Sequence, residues 1–143
     1  MFFEAFPSQP VGDFELKGNT VENNTRSCRG NPRSTTFEHI SAPQSDSAFS
    51  GIGIALIGAS GMEVTGNQIS GNVPSGPTAV SGGVVVSTDP FGFGGGTTKP
   101  MNNSVIGNLF GRNKPDIFWD ESGSGNRFVG NLCDTSVPSS LCN

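Results

Sequence analysis

Short runs of β-type residues, broken at close intervals by glycine and asparagine, extend through the whole chain. The runs from Gly51 to Ile57 and from Gly82 to Ser87 have the composition and length of buried strands. No window places apolar residues at i, i+3, i+4 and i+7 between a cap and a stop, which is the pattern of an amphipathic helix. The pattern therefore predicts an all-β protein.

A six-residue pattern, apolar-x-Gly-Asn-x-apolar, occurs four times. The copies are Leu16 to Val21, Val64 to Ile69, Val105 to Phe110 and Phe128 to Cys133. Three copies are followed, three residues later, by another asparagine, and the fourth has a serine there: Asn24, Asn72, Asn113 and Ser136. Agreement in apolar and polar columns together indicates an internal structural repeat.

A second β-type run precedes each copy, so each repeat unit contains at least two strands. Asn108 and Asn131 lie 23 residues apart, which suits one full turn of a β-solenoid, whereas the earlier spacings are longer and imply insertions. We therefore predict a single domain over residues 1–143 with four coils. The coils span about 2–24, 51–72, 82–113 and 115–136, with insertions at 25–50, 73–81 and 88–101 and a tail at 137–143.

Strand alternation directs the two apolar positions of each copy inward. We expect Leu16, Val64, Val105 and Phe128 to stack in one column, and Val21, Ile69, Phe110 and Cys133 in another. The glycine permits a bend that other residues resist. The asparagines Asn19, Asn67, Asn108 and Asn131 are then structural residues whose amides form an internal ladder.

These motifs resemble the right-handed parallel β-helix repeat proteins of the pectate-lyase-like superfamily. The resemblance rests on Gly66-Asn67-Gln68-Ile69-Ser70-Gly71-Asn72 with the preceding Gly53-Ile54-Ala55-Leu56, and it covers nearly the whole chain outside the insertions. It implies a right-handed parallel β-helix. The superfamily includes pectate and alginate lyases, polygalacturonases and epimerases, together with members that have no assigned activity, so the resemblance implies fold better than chemistry.

The three cysteines leave two interpretations open. Cys133 occupies an inward column and can serve as a small buried hydrophobic residue. Alternatively, a disulfide from Cys133 to Cys142 folds the tail over the end of the stack as a cap, and Cys28 then has no evident partner. No Cys/His spacing of a zinc site is present, and we expect neither a metal nor a cofactor.

Charge and hydropathy exclude some partners. The formal net charge of −4 disfavours nucleic acid as a partner. No apolar stretch reaches the roughly 20 residues that span a bilayer, so we expect no membrane span. The first run, Phe2 to Phe6, already has the composition of a coil strand without a cap before it. We therefore expect either upstream coils, the chain being a C-terminal portion of a longer β-helix, or another chain to cover that end.

Two groups of residues are candidates for catalysis or ligand binding. Strand alternation places Asp116, Phe118 and Asp120 on one outward face, but carboxylates four residues apart on a strand have Cα atoms about 13 Å apart, which is long for a glycosidase pair. We interpret the two aspartates and Glu121 as solubilising charges at a strand edge. The insertion 25–50 carries His39, Glu38 and Arg33, which could overhang a groove.

Two classes of function follow. The first is an extracellular module, secreted or on the cell surface, that binds polysaccharide or serves as structure without catalysis. In this class Arg33, Phe118 and Glu121 are candidates for contact with the sugar. The second is a lyase, hydrolase or epimerase acting on uronate-type polymers, with His39, Glu38, Asp116 and Asp120 as candidate catalytic residues. The absence of an acidic column shared by several coils favours the first.

Overall fold

Within the residues that the structure describes, the strands form three parallel β-sheets. The computed structural model describes residues 1–4, 12–26, 50–76, 78–88 and 98–142. The long sheet contains β1 (Phe2–Glu4), β4 (Ile52–Ile57), β7 (Gly82–Ser87), β10 (Ile117–Trp119) and β12 (Ser136–Val137), in that order. The second sheet contains β2 (Glu15–Lys17), β5 (Glu63–Thr65), β8 (Ser104–Ile106) and β11 (Arg127–Val129). The third sheet contains β3 (Thr20–Glu22), β6 (Gln68–Ser70) and β9 (Leu109–Gly111).

The chain passes through the long, second and third sheets in turn, and each passage forms one repeat unit. Units 1, 2 and 3 comprise β1 to β3, β4 to β6 and β7 to β9, and unit 4 comprises β10, β11 and a bridge from Leu132 to Leu109. Every strand pair between units is parallel. The protein is thus all-β with stacked parallel strands, as the sequence predicts, and this arrangement is compatible with a parallel β-helix.

The strand register confirms the predicted apolar columns. In the second sheet Leu16 pairs with Val64, Val64 with Val105, and Val105 with Phe128. In the third sheet Val21, Ile69 and Phe110 pair in the same way, and the bridge at Leu132 places Cys133 next in that column. Every one of these side chains belongs to, or packs against, one hydrophobic core.

Inward side chains of the long sheet complete this core. They are Ile54, Leu56, Val84, Val86 and Ile117, each with 0% exposure. Full burial of such a side chain stabilises the fold by about 1.5–3 kcal/mol, so the interior columns dominate the stability of the stack.

The predicted glycine bends lie between the second and third sheets. Gly18, Gly66, Gly107 and Gly130 all have a positive φ, between 62° and 66°. A Cβ atom added to any of the four would meet no atom within 4 Å. The left-handed backbone, and not a lack of space, therefore requires glycine at this convex corner.

The predicted asparagine ladder follows directly after these glycines. The side-chain amide of each asparagine donates to Oδ1 of the next one along the stack: Asn19 to Asn67 at 3.0 Å, Asn67 to Asn108 at 2.9 Å and Asn108 to Asn131 at 3.0 Å. The backbone N–H of each donor residue bonds to the same oxygen. This confirms the structural role expected of the four residues.

Another ladder, which the repeat pattern does not predict, lies directly before the strands of the second sheet. The amide of Asn103 donates to Oδ1 of Asn126 at 2.9 Å, and the backbone N–H of Met62 donates to Oδ1 of Asn103 at 3.0 Å. In this column unit 2 has Met62 and unit 1 has Phe14, so only half of the positions are asparagine. A column of mixed residue types gives no sequence signal.

The C-terminal tail covers the last unit. Cys133 and Cys142 form a disulfide, the second of the two interpretations left open by the sequence. Strand β12 pairs with β10, and a short 3-10 helix over Ser139–Leu141 places Leu141 in the core with 8% exposure. The tail therefore acts as a cap that buries the apolar end of the stack.

Candidate functional surfaces

Only part of the predicted site can be placed. His39, Glu38 and Arg33, like Cys28, lie outside the described residues. Phe118, Glu121, Asp116 and Asp120 lie within them.

Asp116 does not lie on the outward face with Phe118 and Asp120, and the prediction of a solubilising edge charge is wrong for it. The residue is 2% exposed and precedes β10, so strand alternation does not set its direction. Its Oδ1 accepts hydrogen bonds from the amide and the backbone N–H of Asn113 at 2.8 and 3.3 Å. Its Oδ2 accepts from the backbone N–H groups of Asp134 and Thr135 at 3.0 and 3.1 Å.

Asp116 is therefore the last member of the ladder that begins Asn24, Asn72, Asn113. Asn24 donates to Asn72 at 2.9 Å and Asn72 to Asn113 at 2.8 Å. The repeat spacing predicted Ser136 at the end of this column, but Ser136 lies in β12 of the long sheet. A carboxylate suits the terminal position because it accepts hydrogen bonds on both oxygens and has no donor left over.

Asp120 joins the end of the long sheet to two neighbouring turns. Its Oδ2 accepts from the backbone N–H and hydroxyl of Thr88 at 2.8 and 2.9 Å, and its Oδ1 accepts from the backbone N–H and hydroxyl of Ser122. Burial alone would raise the pKa of Asp120, but these hydrogen bonds together outweigh burial and hold the pKa below its ordinary value. Such a carboxylate stays ionised and is poorly suited to donate a proton as a general acid.

The outer face of the long sheet around Phe118 is apolar. Ala55, Ile57 and Val85 are at most 1% exposed, and Ile52, Val80 and Phe118 pack against them while remaining partly exposed. This surface is a second, smaller hydrophobic cluster. It offers a sugar little open area, because Ile52, Val80 and Phe118 are only partly exposed.

Two polar residues lie near the C-terminal edge of that face. The hydroxyl of Ser87 is buried and has no hydrogen-bond partner among the described residues. Glu121 is exposed and has a positive φ of 60°, which turns the chain away after β10.

The outward side of the second and third sheets is polar in units 1 and 2. We call this surface the polar face; its members are Glu15, Lys17, Thr20, Glu22, Glu63, Thr65, Gln68 and Ser70. Glu15 pairs in register with Glu63, Lys17 with Thr65, Thr20 with Gln68 and Glu22 with Ser70. Six of the eight are exposed and two are half-buried. The polar face therefore presents a regular grid of carboxylate, hydroxyl, amide and ammonium groups to solvent.

Contacts within the polar face are weak. Lys17 and Glu15 form an exposed ion pair at 3.5 Å, and the hydroxyl of Ser70 donates to Glu22 at 3.3 Å. Exposed pairs of this kind contribute little stability, so these side chains can exchange their contacts for those of a ligand.

Other kinds of site are not found in the part of the chain that the structure describes. There, no three His, Cys, Asp or Glu side chains come together to hold a metal ion. Within the same residues, no helix is both long and apolar enough to cross a membrane. A comparison of the chain with protein families, with curated proteins and with solved structures finds no match in any of the three.

Proposed function

We propose that the chain is a right-handed parallel β-helix that binds polysaccharide without catalysis, outside the cell. Two features support the fold part of this proposal. Parallel strands joined by a crossover within one sheet are right-handed in nearly all proteins. The stacked apolar columns and asparagine ladders also agree with the resemblance to the pectate-lyase-like superfamily.

The polar face is the observation that carries the binding function. Strands in neighbouring units lie about 4.8 Å apart, and outward residues along one strand repeat about every 6.7 Å. A linear polysaccharide presents hydroxyl groups at regular intervals, and carboxylate, amide and hydroxyl side chains can donate to or accept from them. The sheets hold the grid rigidly, so little conformational entropy is lost when an extended ligand binds.

The charge of the polar face selects the class of ligand. Three carboxylates, on Glu15, Glu22 and Glu63, oppose one cation, Lys17. A polyuronate carries like charge and is repelled at short range, whereas a neutral glycan is not. We therefore propose a neutral polysaccharide as the ligand.

Two of the described carboxylates of unit 4, those of Asp116 and Asp120, support a noncatalytic role. Asp116 and Asp120 each accept hydrogen bonds on both oxygens from groups that hold the fold together. Neither is left free to act as nucleophile or proton donor. The disulfide from Cys133 to Cys142 supports an oxidising, extracellular location.

The test is a glycan array containing neutral and uronate polymers, followed by calorimetry with the glycans that are retained. We expect a neutral polysaccharide to bind. The double variant Glu63→Ala/Gln68→Ala should weaken its binding at least about tenfold, since two directed hydrogen bonds are lost. Val129→Thr, an outward change in unit 4 that copies Thr65, is the matched control and should bind as the wild type does.

A parallel assay for reducing sugar and unsaturated product separates binding from catalysis. Binding without product supports the proposal. Turnover of any polymer, particularly if His39→Ala abolishes it, would contradict the noncatalytic role. Failure of every neutral glycan to bind would remove the polysaccharide part of the proposal.

A further inference from the structure

Outward positions of the second and third sheets that are polar in units 1 and 2 are apolar in units 3 and 4. The column before the convex glycine corner runs, from unit 1 to unit 4, through Lys17, Thr65, Ile106 and Val129. The column after the corner runs in the same order through Thr20, Gln68, Leu109 and Leu132. We call the surface formed by Ile106, Leu109, Val129 and Leu132 the apolar ridge. Leu109 is 46% exposed, Val129 48% and Leu132 70%. The apolar ridge thus leaves aliphatic side chains in water at positions where the fold accepts polar ones.

The apolar ridge projects from the molecule. Gly107 and Gly130 form its crest, both are exposed, and a Cβ added to either would meet open space. The asparagines after them point inward into the ladder, so the crest has no side chain with hydrogen-bonding groups. A convex aliphatic surface without polar groups or aromatic rings is poorly suited to a sugar, which binds through hydrogen bonds and ring stacking.

The size of the apolar ridge also disfavours a stable protein partner. The apolar ridge consists of four side chains, whereas a standard protein interface has about 20–30 residues on each partner. A standard protein interface buries about 800 Å² on each partner. The apolar ridge alone is therefore too small to hold a second copy of the chain.

Cations border the apolar ridge. Arg127 lies two residues before Val129 on the outward side of β11, and Arg112 and Lys114 follow β9; all three are exposed. Two exposed acids lie near the apolar ridge as well: Asp134, and Glu63 of unit 2, which pairs with Ser104, two residues before Ile106. The border therefore has an excess of positive charge, the reverse of the polar face with its three carboxylates.

We propose that the apolar ridge docks this protein on the surface of an anionic lipid bilayer. The leucine and valine side chains enter the boundary between headgroups and acyl chains, and the bordering cations contact the anionic headgroups. The polar face continues the same outward columns in units 1 and 2, so in this proposal the stack docks with its unit 4 end tilted toward the bilayer. This inference goes beyond glycan binding and does not depend on it.

The experiment is co-sedimentation with vesicles of phosphatidylcholine alone and of phosphatidylcholine mixed with phosphatidylglycerol. We expect binding to the mixed vesicles that falls as salt is raised. The double variant Leu109→Gln/Leu132→Thr carries side chains that units 2 and 1 already have in the same column, so it should fold normally, which circular dichroism checks. Its partition coefficient should drop at least about tenfold, because most of the exposed aliphatic area is lost.

Two further measurements distinguish a lipid-docking surface from a protein interface. Arg127→Gln should weaken binding to the mixed vesicles but not binding to phosphatidylcholine alone. Glu63→Ala/Gln68→Ala removes a carboxylate near the apolar ridge and should not weaken vesicle binding. Absence of binding to mixed vesicles, or equal binding by the folded Leu109→Gln/Leu132→Thr variant, would overturn the proposal. So would sedimentation equilibrium showing a wild-type dimer that this variant abolishes, since the apolar ridge would then be a protein interface.

Discussion

Asn108 provides the sharpest test of what holds the units together. Its side chain makes five hydrogen bonds. Nδ2 donates to the Val64 carbonyl at 2.8 Å, to Oδ1 of Asn131 at 3.0 Å and, more weakly, to the Ile106 carbonyl at 3.3 Å. Oδ1 accepts from the backbone N–H and the amide of Asn67, both at 2.9 Å. The residue is 1% exposed.

Asn108→Ala leaves two buried donors of Asn67 without an acceptor. Each buried group that loses its partner costs about 1–3 kcal/mol, so we expect the free energy of unfolding to fall by about 4 kcal/mol. A loss of this size is a large fraction of the total stability of a domain. Urea unfolding followed by circular dichroism measures it as a lower midpoint with an unchanged slope.

Asn19→Ala is the matched control. Asn19 lies at the first rung, is only partly buried, and donates to Asn67 without accepting from another rung. Its removal leaves no buried N–H group without a partner, so the expected loss is about 1 kcal/mol. If Asn108→Ala and Asn19→Ala cost the same within error, the buried amides of the ladder do not stabilise the stack.

Asn108→Asp separates the loss of donors from the loss of acceptors. Asp keeps the oxygen that accepts from Asn67 but places a second oxygen against the Val64 carbonyl and Oδ1 of Asn131. The folded protein therefore favours the protonated acid, and the pKa of the introduced carboxyl is raised above its unfolded value. Because that pKa is raised, the variant is most stable at low pH and loses stability as pH rises through the folded pKa. Equal destabilisation, relative to wild type, at pH 4 and pH 7 would refute this reasoning.

Three further outcomes follow from single contacts. Gly66→Ala forces a side chain into a left-handed bend with a φ of 63° and should cost about 1–2 kcal/mol, whereas Gly111→Ala, where φ is not positive and the space is open, should leave the melting temperature nearly unchanged. Cys142→Ala removes the disulfide of the cap and should lower the free energy of unfolding by about 2–3 kcal/mol, with a matching loss when the wild type is unfolded in a thiol reductant. The pKa of Asp120 is lowered in the folded protein, so its contribution to stability is present above the unfolded pKa and is lost as pH falls through the folded pKa. Below about pH 4 the free energy of unfolding of Asp120→Asn should therefore fall less steeply with pH than that of the wild type.

The amino-acid sequence by itself determined the repeat. The Gly-Asn pattern predicted the two apolar columns, the left-handed bends and the ladder through Asn67 and Asn108, because these features depend on which residues recur at one position of every unit. A left-handed bend needs glycine, an inward column needs apolar residues, and a self-pairing amide needs asparagine. These requirements are local, so they are visible in the sequence.

The tertiary structure decided everything that depends on a contact between unlike residues. It placed Asp116 at the end of a ladder instead of on an outward face, and it connected Asp120 to turns 32 residues earlier and two residues later. It also showed that units 1 and 2 present a polar surface where the last two units present Leu109 and Leu132. Asp116 and Asp120 do not recur at one position of every unit, so the repeat does not predict their partners. A surface combines residues from several units, so it can be recognised only once the units are stacked.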